Sequence, residues 1–410
     1  MTSVHVAVVG LGPAGALVAH RAVARGWTVD GYDPACVIDD GTVALPGWRH
    51  TYGFPVRALP AALRESVPFS TVTEQVTAHT PHLHRLHHGP YGIVDVAAAR
   101  DRLSPGVRLH RTRVTDMSAA ALGVDAVIDC RGVVDRPGAV RQVAYGLFLP
   151  EDAAARAGLT VGEFMDWRPS PAACSGTSGT AASGPADQAG QPEMRPGRQG
   201  TGNSSPHTGT DPSFLYVQDT GTSVLAQETV LATRTPSRTL LPELRVRLLS
   251  RLGDAAAQAT GTETVHFPTD RRRRPWYLGP DDRGTVTFGA AGGLTHPATG
   301  YSVAASAAAA DLVLDSIVEG APVGRMLSAS LAHRLRLLGA ELIVRADGPT
   351  LRRFFDAFFS LPPSLQRGYL TGQGAGAVAA AMVALGCRPR DCLPFLRPLP
   401  QALRYTLKPR

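Results

Sequence analysis

Three glycines near the N-terminus have the spacing of a turn that binds phosphate groups. They are Gly10, Gly12 and Gly15, in the segment GLGPAG. In such a G-x-G-x-x-G turn the first glycine allows a tight bend, the second lets the backbone approach a pyrophosphate, and the third permits close packing of a helix on a strand. The following helix also directs its free N–H groups at the phosphates. The turn therefore predicts a dinucleotide site.

The elements around the turn are those that such a site requires. Residues 4–9 are apolar enough for a buried parallel strand, residues 14–25 have helical spacing, and residues 28–32 form a second strand. Asp33 follows that strand, where a carboxylate accepts hydrogen bonds from ribose hydroxyls. NAD and FAD both fit this pattern, but the Pro13-Ala14 pair inside the turn resembles FAD enzymes. We therefore predict an FAD-type βαβ unit.

The composition is that of a globular protein with more than one core. The chain has 410 residues, 44% of them hydrophobic and 18% charged, and chains of this length usually divide into domains. Its net charge of +7 comes almost entirely from arginine, because Lys408 is the only lysine. No basic run, including Arg271 to Arg274, is interleaved with aromatic residues, so nucleic acid is not predicted as a partner.

A metal site is not predicted either. The five cysteines are scattered without a CxxC pair, which argues against a zinc site and against a disulfide framework. A histidine-rich segment alternates apolar and polar residues, as a strand does, so we interpret its histidines as strand or surface residues instead of ligands. These histidines are His79, His82, His84, His87 and His88.

Further along the chain, the patterns predict alternating strands and helices interrupted by one low-complexity segment. Residues 169–212 consist mainly of Ser, Gly, Thr, Ala, Pro and Gln, which cannot bury enough apolar surface to offset the entropy of ordering, and we predict a disordered insertion there. FLYVQ and VLAQETVLA after it are predicted to be paired strands. Helices are predicted at 95–103, 238–252, 302–317 and through most of the chain after 328, and strands at 83–86, 107–114, 126–130 and 286–288.

Eight segments, in a fixed order, carry a resemblance to a known family. They are the WRHTYG segment at 48–53, YGIVD at 91–95, AYG at 144–146, MDWR at 165–168, FLY at 214–216, QET at 227–229, GAAGGLTHPATGYSV at 289–303 and FFSLP at 358–362. In this set and order the chain resembles the lycopene cyclase family, which are FAD-dependent enzymes that cyclise a carotenoid without net oxidation or reduction.

The resemblance implies an α/β fold with a glutathione-reductase-type, Rossmann-like FAD-binding domain, interleaved with a mixed-sheet substrate domain and a helical C-terminal region. The FAD-binding domain would comprise 1–45, 92–145 and 284–325, the substrate domain 46–91, 146–168 and 213–283, and the helical region 326–410. A second group of residues would approach the flavin: Gly289, Gly293, Gly300 and Tyr301. The flavin would act in its reduced form, with NADPH as the electron source.

The implied reaction adds a proton to the terminal double bond of a linear polyene, closes a six-membered ring and releases a proton. A buried carboxyl with a raised pKa suits the first step. Glu228, which follows Gln227 where the family has two adjacent glutamates, is the leading expected acid or base, followed by Asp166 and His296. A second departure is the FPVRA segment at 54–58, where the family has an Asp-Glu pair.

These departures keep other functions open. A cyclase of another polyprenyl chain, a flavin monooxygenase or reductase, and a flavin-binding pseudoenzyme remain alternatives. Monooxygenases usually carry a Gly-Asp pair near the flavin ribityl chain, and this chain has Gly289-Ala290 there. A lipophilic polyene is the expected partner, the oligomeric state is unassigned, and the expected location is cytoplasmic. Phe354, Phe355, Phe358 and Phe359, with nearby arginines, leave a peripheral membrane contact open.

Overall fold

The computed structural model describes residues 4–87, 89–168, 211–270, 272–371 and 374–406, and its first component is a five-stranded parallel sheet. The strand order is β10-β2-β1-β11-β17. The strands are β1 (His5–Val9), β2 (Thr28–Tyr32), β10 (Val107–His110), β11 (Ala126–Asp129) and β17 (Thr285–Thr287). All four pairings are parallel. The predicted βαβ unit is thus confirmed, whereas the strand predicted over 107–114 ends at His110.

Two helices pack on this sheet because they present small apolar side chains. Helix α1 (Pro13–Ala24) begins with a proline, whose fixed φ suits the first helical position, and buries Leu17, Val18 and Ala22. It packs against the alanine-rich helix α7 (Val303–Val318). The other helices of this half are α2 (Val96–Leu103) and the short α3 (Ala119–Leu122) and α6 (Gly289–Gly292).

The second component is a seven-stranded mixed sheet in the order β16-β12-β15-β14-β13-β7-β8. Its strands are β7 (Val76–His79), β8 (Leu83–Leu86), β12 (Arg141–Leu149), β13 (Glu163–Asp166), β14 (Phe214–Asp219), β15 (Val224–Thr233) and β16 (Gly261–Pro268). β14 and β15 pair antiparallel, as FLYVQ and VLAQETVLA predict. The whole of β12 belongs to this sheet, although its first five residues fall within the predicted 92–145 segment.

One face of the large sheet is closed by helix α5 (Ser237–Leu252). Leu240, Leu244, Leu248 and Leu252 recur on one side of this helix and are buried, as a core-facing stripe requires. Helix α4 (Glu151–Arg156) precedes the sheet strand β13. A three-stranded sheet, β5 (Gly53–Pro55), β9 (Tyr91–Val94) and β6 (Phe69–Thr73), and a hairpin, β3 (Val37–Asp39) with β4 (Thr42–Ala44), complete the strands. The opposite face of the large sheet is the one that meets the candidate site.

The C-terminal region is helical, as predicted. Its helices are α8 (Val323–Arg345), α9 (Gly348–Phe359), α10 (Pro363–Thr371), α11 (Ala375–Gly386), α12 (Pro389–Leu396) and α13 (Leu399–Thr406). Phe355, Phe358 and Phe359 on α9 are buried, and Phe354 packs on Phe395 with 3.8 Å between ring centroids. These phenylalanines therefore form core, and the expectation that they present an interfacial surface is wrong.

One predicted segment falls mostly outside the part of the chain that the structure describes. The predicted insertion lies, apart from its last two residues, outside the described residues, as do His88 and Arg271. None of the described helices combines the length and apolar character needed to cross a bilayer. The predicted fold class, with a parallel βαβ sheet, a mixed sheet and C-terminal helices, is confirmed.

Candidate active site

A cavity of about 530 Å³ lies where the two large sheets and the C-terminal helices meet. This is within the usual size of a pocket for a small molecule or cofactor. The glycine turn after β1, the segment 299–306 and the open face of the large sheet all contribute to its wall, together with three phenylalanines of α9. The residues that the sequence assigned to a dinucleotide and those assigned to a substrate sheet therefore border one space.

Each glycine of the N-terminal turn has its own steric reason. Gly10 has φ +93°, and a Cβ there would lie 2.7 Å from the backbone carbon of Cys130. A Cβ on Gly15 would lie 1.9 Å from the carbonyl oxygen of Gly10. Gly12 differs, because no protein atom lies within 4 Å of a Cβ placed there, and it lines the cavity. Gly10 and Gly15 are thus needed for packing, whereas Gly12 leaves room for a ligand.

Asp33 lies beside this turn, at the end of β2. Its carboxylate accepts hydrogen bonds from the N–H groups of Leu11 and Ala35, both at 2.8 Å. The indole N–H of Trp48 donates to the carbonyl oxygen of Leu11 at 3.0 Å. The carboxylate is therefore held at the position where ribose hydroxyls are bound in dinucleotide folds, and the first residue of the WRHTYG segment secures the same loop.

The second glycine segment closes the other side of the cavity. Gly289 (φ +60°) lies against α1, where an added Cβ would be 2.7 Å from the Cβ of Ala14. Gly293 (φ +82°) ends α6 in the left-handed conformation. Gly300 (φ +75°) leaves space for Gln142, whose Oε1 would be 1.8 Å from an added Cβ. Tyr301 follows, partly buried and lining the cavity.

Several polar groups at this end of the cavity fit a flavin. The hydroxyls of Thr299 and Ser306 are buried, line the cavity and have no partner among the described residues, and buried hydroxyls usually have one. Val303 and Ala304, in the first turn of α7, also line the cavity. Their N–H groups have no acceptor within the helix and lie at its electropositive end. The set suits a ring with carbonyl and nitrogen acceptors.

The floor of the cavity is a row of side chains across the large sheet. Register places Tyr216 opposite Gln227, Gln227 opposite Gly146, and Gly146 opposite Glu263. Residues in register share a face of the sheet, and Tyr216, Gln227 and Glu263 all line the cavity. Gly146, the glycine of the AYG segment, puts no side chain between Gln227 and Glu263.

Glu263 is the only carboxylic acid among the described residues that line this cavity. It is 5% exposed. Thr51 donates to it twice, from its N–H at 3.0 Å and from its hydroxyl at 2.8 Å. His50 lies at its solvent side, with Nδ1 3.6 Å from Oε1 and a half-exposed ring. Burial, followed by the charge of Glu263, raises the pKa of Tyr52 to about 12, so that phenol stays neutral beside the carboxylate.

Aromatic rings surround the space above this floor. The hydroxyls of Tyr91 and Tyr301 are 3.3 Å apart, and that of Tyr216 donates to Tyr91 at 3.3 Å. Phe164 packs against all three tyrosines, with ring centroids 5.8 to 6.3 Å apart. Burial raises the pKa of each of these tyrosines, so the cluster is neutral. Such a cluster offers ring faces, which attract cations.

Glu228 lies on the opposite face of strand β15 from this cavity. Side chains alternate along a strand, and the cavity side is occupied by Leu225, Gln227 and Thr229. Glu228 is 1% exposed and accepts hydrogen bonds from Arg251 of α5 at 2.8 Å and from the hydroxyl of Ser213 at 2.5 Å. The structure therefore places the leading predicted acid in an ion pair beneath a helix, away from the cavity.

Asp166 is also held by an arginine and does not line the cavity. Its two oxygens accept from Nε and an Nη of Arg168, both at 2.9 Å. Asp166, Glu163 and His79 have ligand atoms within 4.8 Å of one another. Arg168 donates to both carboxylates, so the negative charge that would bind a cation already has a partner.

His296 has both ring nitrogens engaged in backbone hydrogen bonds. Nε2 donates to the carbonyl oxygen of Tyr369 at 3.1 Å, and Nδ1 accepts from the N–H of Ala298 at 3.2 Å. Burial, then the charge of Arg336, lowers its pKa well below the usual value. The residue borders a separate cavity of about 50 Å³. It is a neutral residue that fixes the HPATGYSV segment to α10.

Sequence reasoning did not select Glu263, although its strand contains a signal. In β16 the buried or half-buried positions Glu263, Val265 and Phe267 alternate with exposed residues. Glu263 therefore shares the buried face of its strand with two large apolar residues. A charged side chain on such a face usually has a partner or a function. That alternation, instead of any motif, identifies the residue.

Sequence comparisons identify the family of the chain. A family model described as "Lycopene cyclase protein" matches residues 5–382. A lycopene beta cyclase from an Oncidium hybrid cultivar is 27% identical over 451 residues, which cover 98% of this chain and 86% of the relative. A lycopene beta cyclase from Solanum lycopersicum is 25% identical, covering 90% of this chain and 74% of the relative.

Solved structures share the fold. A geranylgeranyl bacteriochlorophyll reductase-like protein from Thermoplasma acidophilum has a TM-score of 0.56 at 12% identity, with 98% of this chain and all of that chain covered. The flavin-dependent halogenase CmlS has a TM-score of 0.50 at 12% identity, covering 95% of this chain and 78% of that chain. At these identities the likeness shows that this chain has the fold of these flavoproteins, and no more. Because the family model spans nearly the whole sequence, the chain belongs to the lycopene cyclase family.

Proposed function

We propose that this protein is an FAD-dependent enzyme that cyclises the end of a linear polyene, as in the conversion of lycopene to a β-ring carotenoid, with no net redox change. The observation that carries the proposal is a single buried carboxyl, Glu263, facing an aromatic cavity that also opens onto the glycine turn. A proton donor, an apolar space and a cofactor cradle meet there, and this reaction needs all three.

Glu263 is the proposed acid, in place of Glu228. When it is protonated, the hydroxyl of Thr51 accepts from it, since a hydroxyl serves as donor or acceptor. The carboxyl transfers its proton to the terminal double bond, forming a C–H bond and leaving a tertiary carbocation. The neighbouring double bond attacks this cation and closes the ring. Loss of a ring proton to the Glu263 carboxylate restores a double bond and the carboxyl, so that one proton enters the substrate and one leaves it.

The cavity stabilises the cation and excludes water. The faces of Tyr91, Phe164, Tyr216 and Tyr301 surround the space in which it forms, and a desolvated cation over a ring gains about 2 kcal/mol. The phenols stay neutral, so the carboxylate left on Glu263 is the anion that these residues contribute to the space around the cation. His50 lies between solvent and Glu263, which gives the carboxyl a route for exchanging its proton with solvent between turnovers.

FAD in reduced form, with NADPH as electron source, is the proposed cofactor. Gly12 and the first turn of α7 would hold its pyrophosphate and ring, and Asp33 its ribose. When bound and reduced, it supplies negative charge near the developing cation. A Gly12→Val change should abolish flavin binding without unfolding the protein, because its Cβ meets no protein atom. Full flavin occupancy in this variant, measured by absorbance, would contradict the assignment.

A reaction in D₂O tests the proposal as a whole. The protein is incubated with reduced FAD and lycopene in liposomes, and the product is analysed by mass spectrometry. If Glu263 exchanges its proton with solvent, each ring formed should contain one deuterium in place of one hydrogen. The total number of hydrogen and deuterium atoms should not change. A product with two hydrogens more or fewer would indicate a reductase or desaturase, and an oxygenated product a monooxygenase. If lycopene is unchanged and another polyprenyl chain is cyclised with deuterium uptake, the substrate assignment fails while the chemistry holds.

A further inference from the structure

Apart from the catalytic cavity and the small one beside His296, a cavity of about 70 Å³, here called the second cavity, lies among the C-terminal helices. It is bordered by α8, α9, α10, α11 and α12, and its wall is almost entirely apolar. Leu342 and Ile343 come from α8, Phe354 from α9, Leu370 from α10, and Met382 and Leu385 from α11. Its polar side chains belong to Thr299, Tyr369 and Cys392. A void of this kind recognises hydrocarbon and little else.

The two cavities are separated by a thin wall. Thr299, Phe355, Phe358 and Leu370 line both of them. Three of these four side chains are apolar, and aromatic side chains of this sort move by rotation about two torsions. Hydrocarbon that leaves the catalytic cavity on this side therefore stays in apolar surroundings.

The size of the catalytic cavity requires such an exit. A volume of about 530 Å³ is that of a pocket for one drug-sized ligand. The flavin ring and the ring-forming end of the substrate would occupy it together. The long remainder of a linear polyene must then lie elsewhere, and it must not be exposed to water.

The outer surface of the helical region also carries apolar side chains. Helix α11 carries no charged residue, and while its Met382 and Leu385 line the second cavity, Val383 between them is 65% exposed. On α12, Cys392 lines the cavity and the adjacent Leu393 is 60% exposed. Gly386 both borders the cavity and reaches solvent. Apolar side chains thus line both cavities and are also present on the solvent-facing sides of the two helices that border the second one.

We propose that the cavity between α8, α9, α10, α11 and α12 is a channel that receives the unreacted length of the polyene, so that the C-terminal helices select long substrates. The inference rests on the proposed function, since it deepens the description of the same substrate. It assigns specificity to residues that touch neither Glu263 nor the glycine turn.

The test compares two substrates with the same reacting end. One is lycopene, and the other is a lycopene fragment truncated near its centre. Cys392→Phe fills the second cavity, and Ile343→Phe, a second variant, narrows it from the opposite wall. Leu393→Phe is the matched control, because it adds a ring at the neighbouring position but on the exposed surface. Melting temperature and flavin content are measured for every variant to show that each is folded.

The filled variants should lose at least about tenfold in kcat/KM for lycopene, the scale of lost apolar contacts, and should keep wild-type turnover of the fragment. The control should match wild type on both substrates. Equal effects on both substrates, or no effect on either in folded protein, would overturn the channel while leaving the cyclase proposal intact. A wild-type protein that cyclises neither substrate would overturn the proposed function itself, and the channel with it.

Discussion

Two buried glutamates on the large sheet show how differently one sheet uses the same side chain. Glu228 and Glu263 are 1% and 5% exposed, and each accepts two hydrogen bonds. Glu228 faces α5, where a guanidinium neutralises it. Glu263 faces the cavity and has a threonine and the edge of a histidine ring instead. Burial alone therefore does not distinguish the two carboxyls; Glu263 differs in facing a cavity and in having no arginine partner among the described residues.

The same contrast explains the departure at Gln227. This residue, and not Glu228, lies in the row that ends at Glu263. The substitution at 227 removes a carboxyl from the cavity and leaves the structural ion pair intact. The described lining of the cavity has one acid, Glu263, whereas a glutamate at 227 would add a second one.

The largest expected effect is a loss of stability, from a change at Glu228 on the face of the sheet that packs against α5. Glu228→Gln leaves the Arg251 side chain, 10% exposed, without its negative partner. Breaking a buried pair from one side costs about 3 to 5 kcal/mol of unfolding free energy. Urea denaturation measures this, with Glu228→Gln/Arg251→Leu as the control that removes both charges and should recover part of the loss. A Glu228→Gln protein as stable as wild type would show that the pair does not hold α5 to the sheet.

A smaller effect is expected on the cavity face. Gln227→Glu places a second carboxyl in the same row as Glu263 and therefore a second potential proton donor in the cavity. An added donor should raise lycopene turnover by up to about tenfold. Gln227→Leu is the control, because it removes the amide without adding an acid. If both variants change turnover equally, the lost amide and not the added carboxyl is responsible.

The smallest effect concerns Asp356, a carboxylate on α9 that contacts the β7–β8 hairpin at the edge of the large sheet. Burial raises the pKa of Asp356, but hydrogen bonds from Thr80, His84 and His82 outweigh it and lower the pKa to about 2 from its ordinary 3.8. A lowered folded-state pKa stabilises the protein above the unfolded value, and the contribution is lost as pH falls from about 4 to about 2.

Asp356→Asn should therefore cost about 1 kcal/mol of unfolding free energy at neutral pH, after allowance for partial exposure. The difference from wild type should shrink as the pH falls below about 4. Melting curves across this range measure it. A difference that does not change with pH would mean that the carboxylate charge does not hold α9 to the β7–β8 hairpin.

Local patterns were enough to predict much of the fold. The βαβ unit, the paired strands β14 and β15, and the long helices follow from short-range periodicity and from glycine chemistry. The strand at 107–110 was predicted too long: its apolar alternation ends at Leu109, and the parallel pairing with β2 ends at His110. The phenylalanine cluster was open to two interpretations, since a helix that is apolar on one side packs equally well on a core or on a membrane.

The site was less predictable, because a strand buried on both faces does not reveal which face meets a cavity. Nine of the ten residues of β15 are buried, so its sequence has no alternation from which to assign Gln227 and Glu228. The three residues expected to be catalytic lie outside the main cavity, held by Arg251, by Arg168 and by the backbone. Glu263 comes from a strand without a recognised motif, and only the register across β12 brings it beside Gln227.

The measurement that tests the account most directly is single-turnover cyclisation of lycopene by flavin-loaded wild type, Glu263→Gln and Glu228→Gln, assayed together under reducing conditions. Gln at 263 keeps both contacts with Thr51 but has no proton to give at neutral pH. We predict that Glu263→Gln retains its flavin and melting temperature and loses at least about a hundredfold in rate. Folded Glu228→Gln should turn over at close to the wild-type rate. An active Glu263→Gln enzyme beside a folded but inactive Glu228→Gln enzyme would contradict the assignment and return the catalytic role to the residue beneath α5.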